Sequence, residues 1–100
     1  MTKTPRCFMF DLLDTIDKAN KYGRGYGADA PVSLYVSGGT IFMRVSLVEY
    51  GGRESINVGR TLNIRIAKAI RTIKEYMYGA LSAEEYVKFC NELTEPARLV

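Results

Sequence analysis

From Phe8 onward the apolar residues Phe8, Met9, Leu12, Leu13, Ile16 and Ala19 return at the spacing of one helix face. Thr4 and Pro5 read as an N-cap followed by proline at the first helical position, and Lys18 and Lys21 precede Gly23, which ends the pattern. A helix is therefore predicted over 5–22. The period then falls to two. In VSLYVSGGTIFMRVSLVEYGGRESINV the pairs Gly38-Gly39 and Gly51-Gly52 divide runs rich in Val, Ile, Tyr and Phe, the signature of two-residue hairpins, and strands are predicted over 32–37, 41–50 and 53–58.

Tight turns also fix a register. Gly38-Gly39 sets Val36 against Ile41, Tyr35 against Phe42 and Leu34 against Met43, while Gly51-Gly52 sets Tyr50 against Arg53, Glu49 against Glu54 and Leu47 against Ile56. One face then collects Val32, Leu34, Val36, Ile41, Met43, Val45, Leu47, Ile56 and Val58; the other collects Ser33, Tyr35, Phe42, Arg44, Ser46, Val48, Tyr50, Arg53, Ser55 and Asn57. Glu49 opposite Glu54 is the one misfit.

The helical period resumes with Leu62, Ile66, Ala69, Ile70, Ile73 and Met77, which predicts a helix over 61–78 closed by Gly79. Ser82 and Glu85 form a capping box that opens a helix over 83–94, with Tyr86, Phe89, Cys90 and Leu93 inward and Pro96 as the stop. Helix, three-stranded meander, helix, helix is an α+β order. It packs as two layers with the helices on one sheet face and the polar-aromatic face open. A length of 100 residues with 47% hydrophobic content fits a single domain over 1–100.

Composition narrows the chemistry. There is no histidine, so the usual general base and the commonest zinc ligand are missing, and the two cysteines, Cys7 and Cys90, are too few for a four-ligand structural site. No metal, cofactor or catalytic activity is expected. Both thiols are expected to be reduced, since Met1–Arg6 lead into helix-like sequence without a signal-peptide apolar core, and no run is long enough to span a membrane. A cytoplasmic protein is the expectation.

Charge is distributed unevenly: the net +3 includes +4 within 60–78, from Arg60, Arg65, Lys68, Arg71 and Lys74 against Glu75 alone. These cations lie on the side of their helix away from its apolar stripe, a solvated face or a contact for phosphates or an acidic protein surface. Asp11, Asp14 and Asp17 recur every third residue on the first helix and read as a polar exterior, so rows of both signs also permit self-association as a dimer. On the open sheet face Tyr35, Phe42, Arg44, Tyr50 and Arg53 combine the residue types enriched at protein interfaces and at base-stacking platforms. Within KYGRGYG, Tyr22, Arg24 and Tyr26 are placed on a mobile loop; the glycines follow a helix rather than precede one, so the string does not present helix N-terminal amides to a phosphate.

The α-β-β-β-α order of 5–78, with Arg60, Arg65 and Lys68 at the start of its last helix, resembles the double-stranded-RNA-binding domain, although that family's lysine pair is absent and the first hairpin turn is only Gly38-Gly39. The full order is similar to some small bacteriophage-encoded inhibitors of host defence, certain anti-CRISPR proteins among them. That resemblance implies a protein that binds a host nucleic-acid-handling complex and blocks it sterically, and it carries over no residue roles. A non-catalytic binding protein docking on a larger protein or nucleoprotein complex is the function expected, with direct nucleic-acid binding through the basic helix face as the alternative.

Overall fold

The computed structural model describes residues 6–59 and 63–99. Helix α1 (Met9–Tyr22) leads into strands β1 (Val32–Ser37), β2 (Thr40–Leu47) and β3 (Gly52–Gly59), then helices α2 (Asn63–Ala80), α3 (Ala83–Glu92) and the short α4 (Glu95–Leu99). The sheet is antiparallel in the order β1-β2-β3. The fold is the expected α+β type, and at 43 × 38 × 16 Å it is as thin as one sheet and one helix layer require.

The core follows the two periods. Val32, Met43, Val45, Leu47 and Val58 from the sheet meet Leu12, Ile16 and Ala19 of α1, Ile66, Ala69, Ile70, Ile73 and Met77 of α2, and Phe89 of α3, all buried. Each large side chain removed from water there contributes about 1.5–3 kcal/mol. The first hairpin has the register that a two-residue glycine turn dictates, Val32 to Val45 through Ser37 to Thr40, with Gly38 and Gly39 both at positive φ. Val36, expected on the buried face, is 70% exposed, as burial falls away along β1 from Val32 toward the hairpin turn.

The second hairpin departs from expectation. Leu47 faces Gly52 instead of Ile56, a slip of four residues, because β2 stops at Leu47 and Val48–Tyr50 form a 3-10 turn closed by Gly51 in the left-handed region. The amide of Val48 donates to the carbonyl of Arg24 and not to β3. An even slip leaves the side chains that still pair on their predicted faces. The expected clash of Glu49 with Glu54 disappears: Glu49 turns to Arg24 and Glu54 comes opposite Val45. A bulge near Ile41 sets that residue against Gly59 and Phe42 against Asn57, which leaves Val58 as the extra, buried residue.

Three helix boundaries are also corrected. The first helix starts at Met9, not at residue 5: Cys7 and Phe8 are irregular, and the Phe8 amide is capped by Asp11 Oδ2 at 2.8 Å; Thr4 and Pro5 lie outside the described residues. Phe8 and Leu13, assigned to the buried stripe, are about half exposed. Gly79 does not end α2 but sits inside it, where a Cβ would stand 2.1 Å from the Tyr50 hydroxyl oxygen. The third helix ends at Glu92, and Pro96 opens α4 instead of stopping the chain, since its missing amide falls in the first turn where no intrahelical partner exists.

Two of the three aspartates prove to be internal support, while Asp17 stays on the exterior as expected and pairs with Lys18. Asp11 is fully buried and Asp14 half-buried. Asp11 Oδ1 accepts from the Thr94 hydroxyl at 3.1 Å and Asp14 Oδ2 accepts from the Thr94 amide at 3.2 Å, so α1 caps the start of α4. Replacing Asp11 with Ala should strand the Thr94 hydroxyl and the Phe8 amide and cost about 3 kcal/mol in chemical denaturation. A loss below about 0.5 kcal/mol, the level of an ordinary surface change, would show that the carboxylate holds nothing.

Candidate functional site

The face of the sheet turned away from the helices carries three cross-strand rows: Tyr35-Phe42-Asn57, Ser33-Arg44-Ser55, and Ser46-Arg53. Because paired residues on antiparallel strands share a face, the register alone brings Tyr35 beside Phe42. Their rings stack with centroids 5.4 Å apart and planes 17° from parallel. The Arg44 guanidinium lies over the Tyr35 ring at 5.0 Å, a cation–π contact, and the Tyr35 hydroxyl donates to Ser55 Oγ at 3.1 Å. Tyr35, Phe42 and Arg44 are half-buried by one another while no helix or strand among the described residues covers them, so the cluster is held in place and still faces solvent.

Arg53 closes the other end of this face. Its Nε and Nη2 grip the Asp29 carboxylate, with Nη2 to Oδ1 at 3.2 Å, and Ser46 donates to the same carboxylate at 3.0 Å. The Arg53 hydrogen bond first, and then that of Ser46, hold the Asp29 carboxyl below its ordinary 3.8. Arg53 is thus neutralised within the fold, and Arg44 is the cation this face offers.

Tyr50 is not part of it. The 3-10 turn carries Tyr50 to the helix side of the sheet, where its ring meets that of Tyr76 edge-on at 5.0 Å and its hydroxyl donates to the Tyr76 carbonyl at 3.1 Å.

The basic row of the second helix is split. Arg60 lies outside the described residues. Arg65 packs its guanidinium against Gly59, where a Cβ would collide with it, and Lys74 Nζ donates to the carbonyls of Ala97 and Arg98 at 3.3 and 2.9 Å, closing the end of α4. Lys68 and Arg71 point outward and pair with no carboxylate among the described residues.

KYGRGYG is docked, not mobile. The Tyr26 amide donates to the Ser46 carbonyl, Gly25 bridges Leu47, and the loop continues the sheet along the side of β2 that β1 has not yet reached. Gly25 is obligatory there because a Cβ would fall 1.7 Å from the Asp29 carbonyl oxygen. Tyr22 belongs to α1, packs on Phe89 and bonds Glu92, while Arg24 pairs with Glu49 at 3.5 Å; of the three loop candidates Tyr26 is the one whose side chain has no hydrogen-bond or ring partner among the described residues, and it is half exposed.

The two cysteines are not joined in a disulfide: Cys7 is buried, which together with the nearby Asp11 charge pushes its pKa up, and Cys90 is half-buried beside Tyr86. Among the described residues no group of three His, Cys, Asp or Glu side chains is placed to hold a metal ion, and no helix is long and apolar enough to cross a membrane. Sequence reasoning overlooked Tyr76 and Glu54; the one signal available was Glu54 interrupting the hydrocarbon alternation of its strand. No family model, curated protein or solved structure matches the chain.

Since Asp29 titrates low in the folded protein, the stability it contributes is present above its unfolded pKa and is lost as pH falls through the lowered folded value. Replacing Arg53 with Met should move the Asp29 carboxyl midpoint, read by carbon NMR, upward toward 3.8. An unchanged midpoint would mean that Arg53 does not hold the carboxylate in solution.

Proposed function

We propose that this chain is a non-catalytic binding protein that docks on a larger protein or nucleoprotein complex through its open sheet face. The observation that carries the reading is the Tyr35-Phe42-Arg44 cluster, two stacked rings and a guanidinium held in order by the strands yet left facing water. Tyr and Arg are the residues on which binding energy concentrates at protein interfaces, and rigid presentation lowers the entropy lost on association. Ser33, Ser55 and Asn57 surround the rings with hydrogen-bonding groups, the polar rim such an interface needs. In element order the chain is similar to small phage-encoded inhibitors of host defence, and on that likeness the partner is a host nucleic-acid-handling complex that it blocks sterically from the cytoplasm.

Direct nucleic-acid binding through the basic helix loses support, because Lys74 is spent on α4 and Arg65 lies against Gly59. Among the described residues of α2, Lys68 and Arg71 are the cations left pointing outward with neither a carboxylate nor a packing partner, and two cations neutralise few phosphates. The double replacement Tyr35→Ser with Phe42→Ser should leave the helical and sheet signals of circular dichroism intact while weakening partner capture roughly 30-fold or more. Unfolding of that variant would make the face part of a core, and undiminished capture would place the interface elsewhere. Lys68→Glu with Arg71→Glu should capture as the parent does. The unmodified protein should show no binding to mixed single-stranded and duplex nucleic acid at low salt; tight, steeply salt-dependent binding there would favour the nucleic-acid reading instead.

A further inference from the structure

The β2–β3 turn builds a second feature on the opposite side of the sheet, independent of the open face. Two adjoining cavities of about 270 and 320 Å³ lie in the seam between this turn and α2, sharing Tyr50, Glu54 and Tyr76 as walls. Val45 and Leu47 floor the first, while Thr72 and Glu75 line the second. Their size is at the lower end of small-ligand sites, whose volumes run from roughly 300 Å³ upward.

The walls are fixed although they are exposed. Tyr50, 49% exposed, is held three ways: by its hydrogen bond to the Tyr76 carbonyl, by the edge-on Tyr76 ring, and by the missing Cβ at Gly79 that leaves room for its hydroxyl. The two rings stand edge to face at 83°, and both line the two cavities. The carboxylates are equally particular. Glu54 stands opposite Val45 on the strand face that elsewhere carries hydrocarbon, and Glu75 is the lone acid of α2; neither has an ion-pair partner among the described residues. Arg53 also lines the first cavity, but its guanidinium is paired with the Asp29 carboxylate, which offsets its charge there. Aromatic rings with unpaired carboxylates around a small concavity attract a cation that also has hydrocarbon to bury, because ring quadrupole, carboxylate charge and apolar floor each favour one part of it.

We propose that this seam binds an organic cation, an alkylammonium or guanidinium head on a flexible hydrocarbon stem. The head lies between Glu54 and Glu75 beside the tyrosine rings, and the stem lies over Val45 and Leu47. Its source is either a basic side chain of a protein or a free polyamine.

Titration of the nitrogen-15-labelled protein with Nα-acetyl-lysine methylamide, Nα-acetyl-arginine methylamide and spermidine tests it, with the uncharged norleucine analogue as control. Saturable amide shifts at Tyr50, Thr72 and Tyr76 are expected for the cations at a dissociation constant on the order of 1 mM, and none for norleucine. Tighter binding of the amino-acid amides assigns the site to a protein side chain, and tighter binding of spermidine to a polyamine. The surface double variant Glu54→Gln with Glu75→Gln should fold normally and weaken the cations about tenfold or more. Gly79→Ala, which displaces the Tyr50 hydroxyl without breaking a helix, should weaken them too. Equal response to norleucine, no saturable shift at these amides, or undiminished binding by the glutamine variant would overturn the proposal. None of these outcomes bears on the open sheet face, which is tested by its own variant.

Discussion

The fold depends on one constraint, the antiparallel register that gathers the hydrocarbon of β1, β2 and β3 on a single face. With a side-chain period of two, a strand that buries Met43, Val45 and Leu47 must turn Phe42, Arg44 and Ser46 the other way. Three strands are too few to wrap around a core, so α1 and α2 supply the second layer. The helices cover one face, and the thickness of 16 Å leaves no room for a third layer. The uncovered Tyr35-Phe42-Arg44 cluster is therefore a consequence of how the core is made.

Several polar groups make this arrangement specific. Asn20, at the end of α1, exchanges two hydrogen bonds with the backbone of Val32, at 2.8 and 2.9 Å, and thereby fixes where β1 begins. Asp11 and Asp14 seat Thr94, and Lys74 satisfies the last carbonyls of α4, so a five-residue helix that could not persist alone is held at both ends. Lys21 and Tyr22 meet at Glu92 and tie α1 to α3. Several residues that look like free charge in a linear pattern are fastenings between elements.

This is why the chain was legible to different depths. The alternation of β1 and β2 and the Gly38-Gly39 turn determine the first hairpin locally, so the pairing of Tyr35 with Phe42 could be read directly. The second turn could not be read in the same way. Gly51 does adopt the left-handed conformation, but Val48 bonds the distant Arg24 and Tyr50 bonds Tyr76, and these partners lie 24 and 26 residues away in the chain. Tyr50 consequently left the face assigned to it. Asp11 was misjudged for a related reason: its hydrogen-bond partner Thr94 directly precedes α4, a helix that Pro96 had seemed to forbid, and a period of three shows which side a carboxylate occupies but not what will be packed upon it. The faces themselves survived the four-residue slip, because an even displacement preserves the alternation.

Whether the Tyr35-Phe42-Arg44 face stays open in solution is the point on which the functional reading turns, and small-angle X-ray scattering at several protein concentrations measures it. A flat monomer is predicted, with a radius of gyration near the 13.1 Å of the Cα trace once hydration is allowed for, independent of concentration. A dimer of twice the mass whose envelope fits two sheets packed face to face would contradict the account, since the surface assigned to a partner would already be consumed by a second copy.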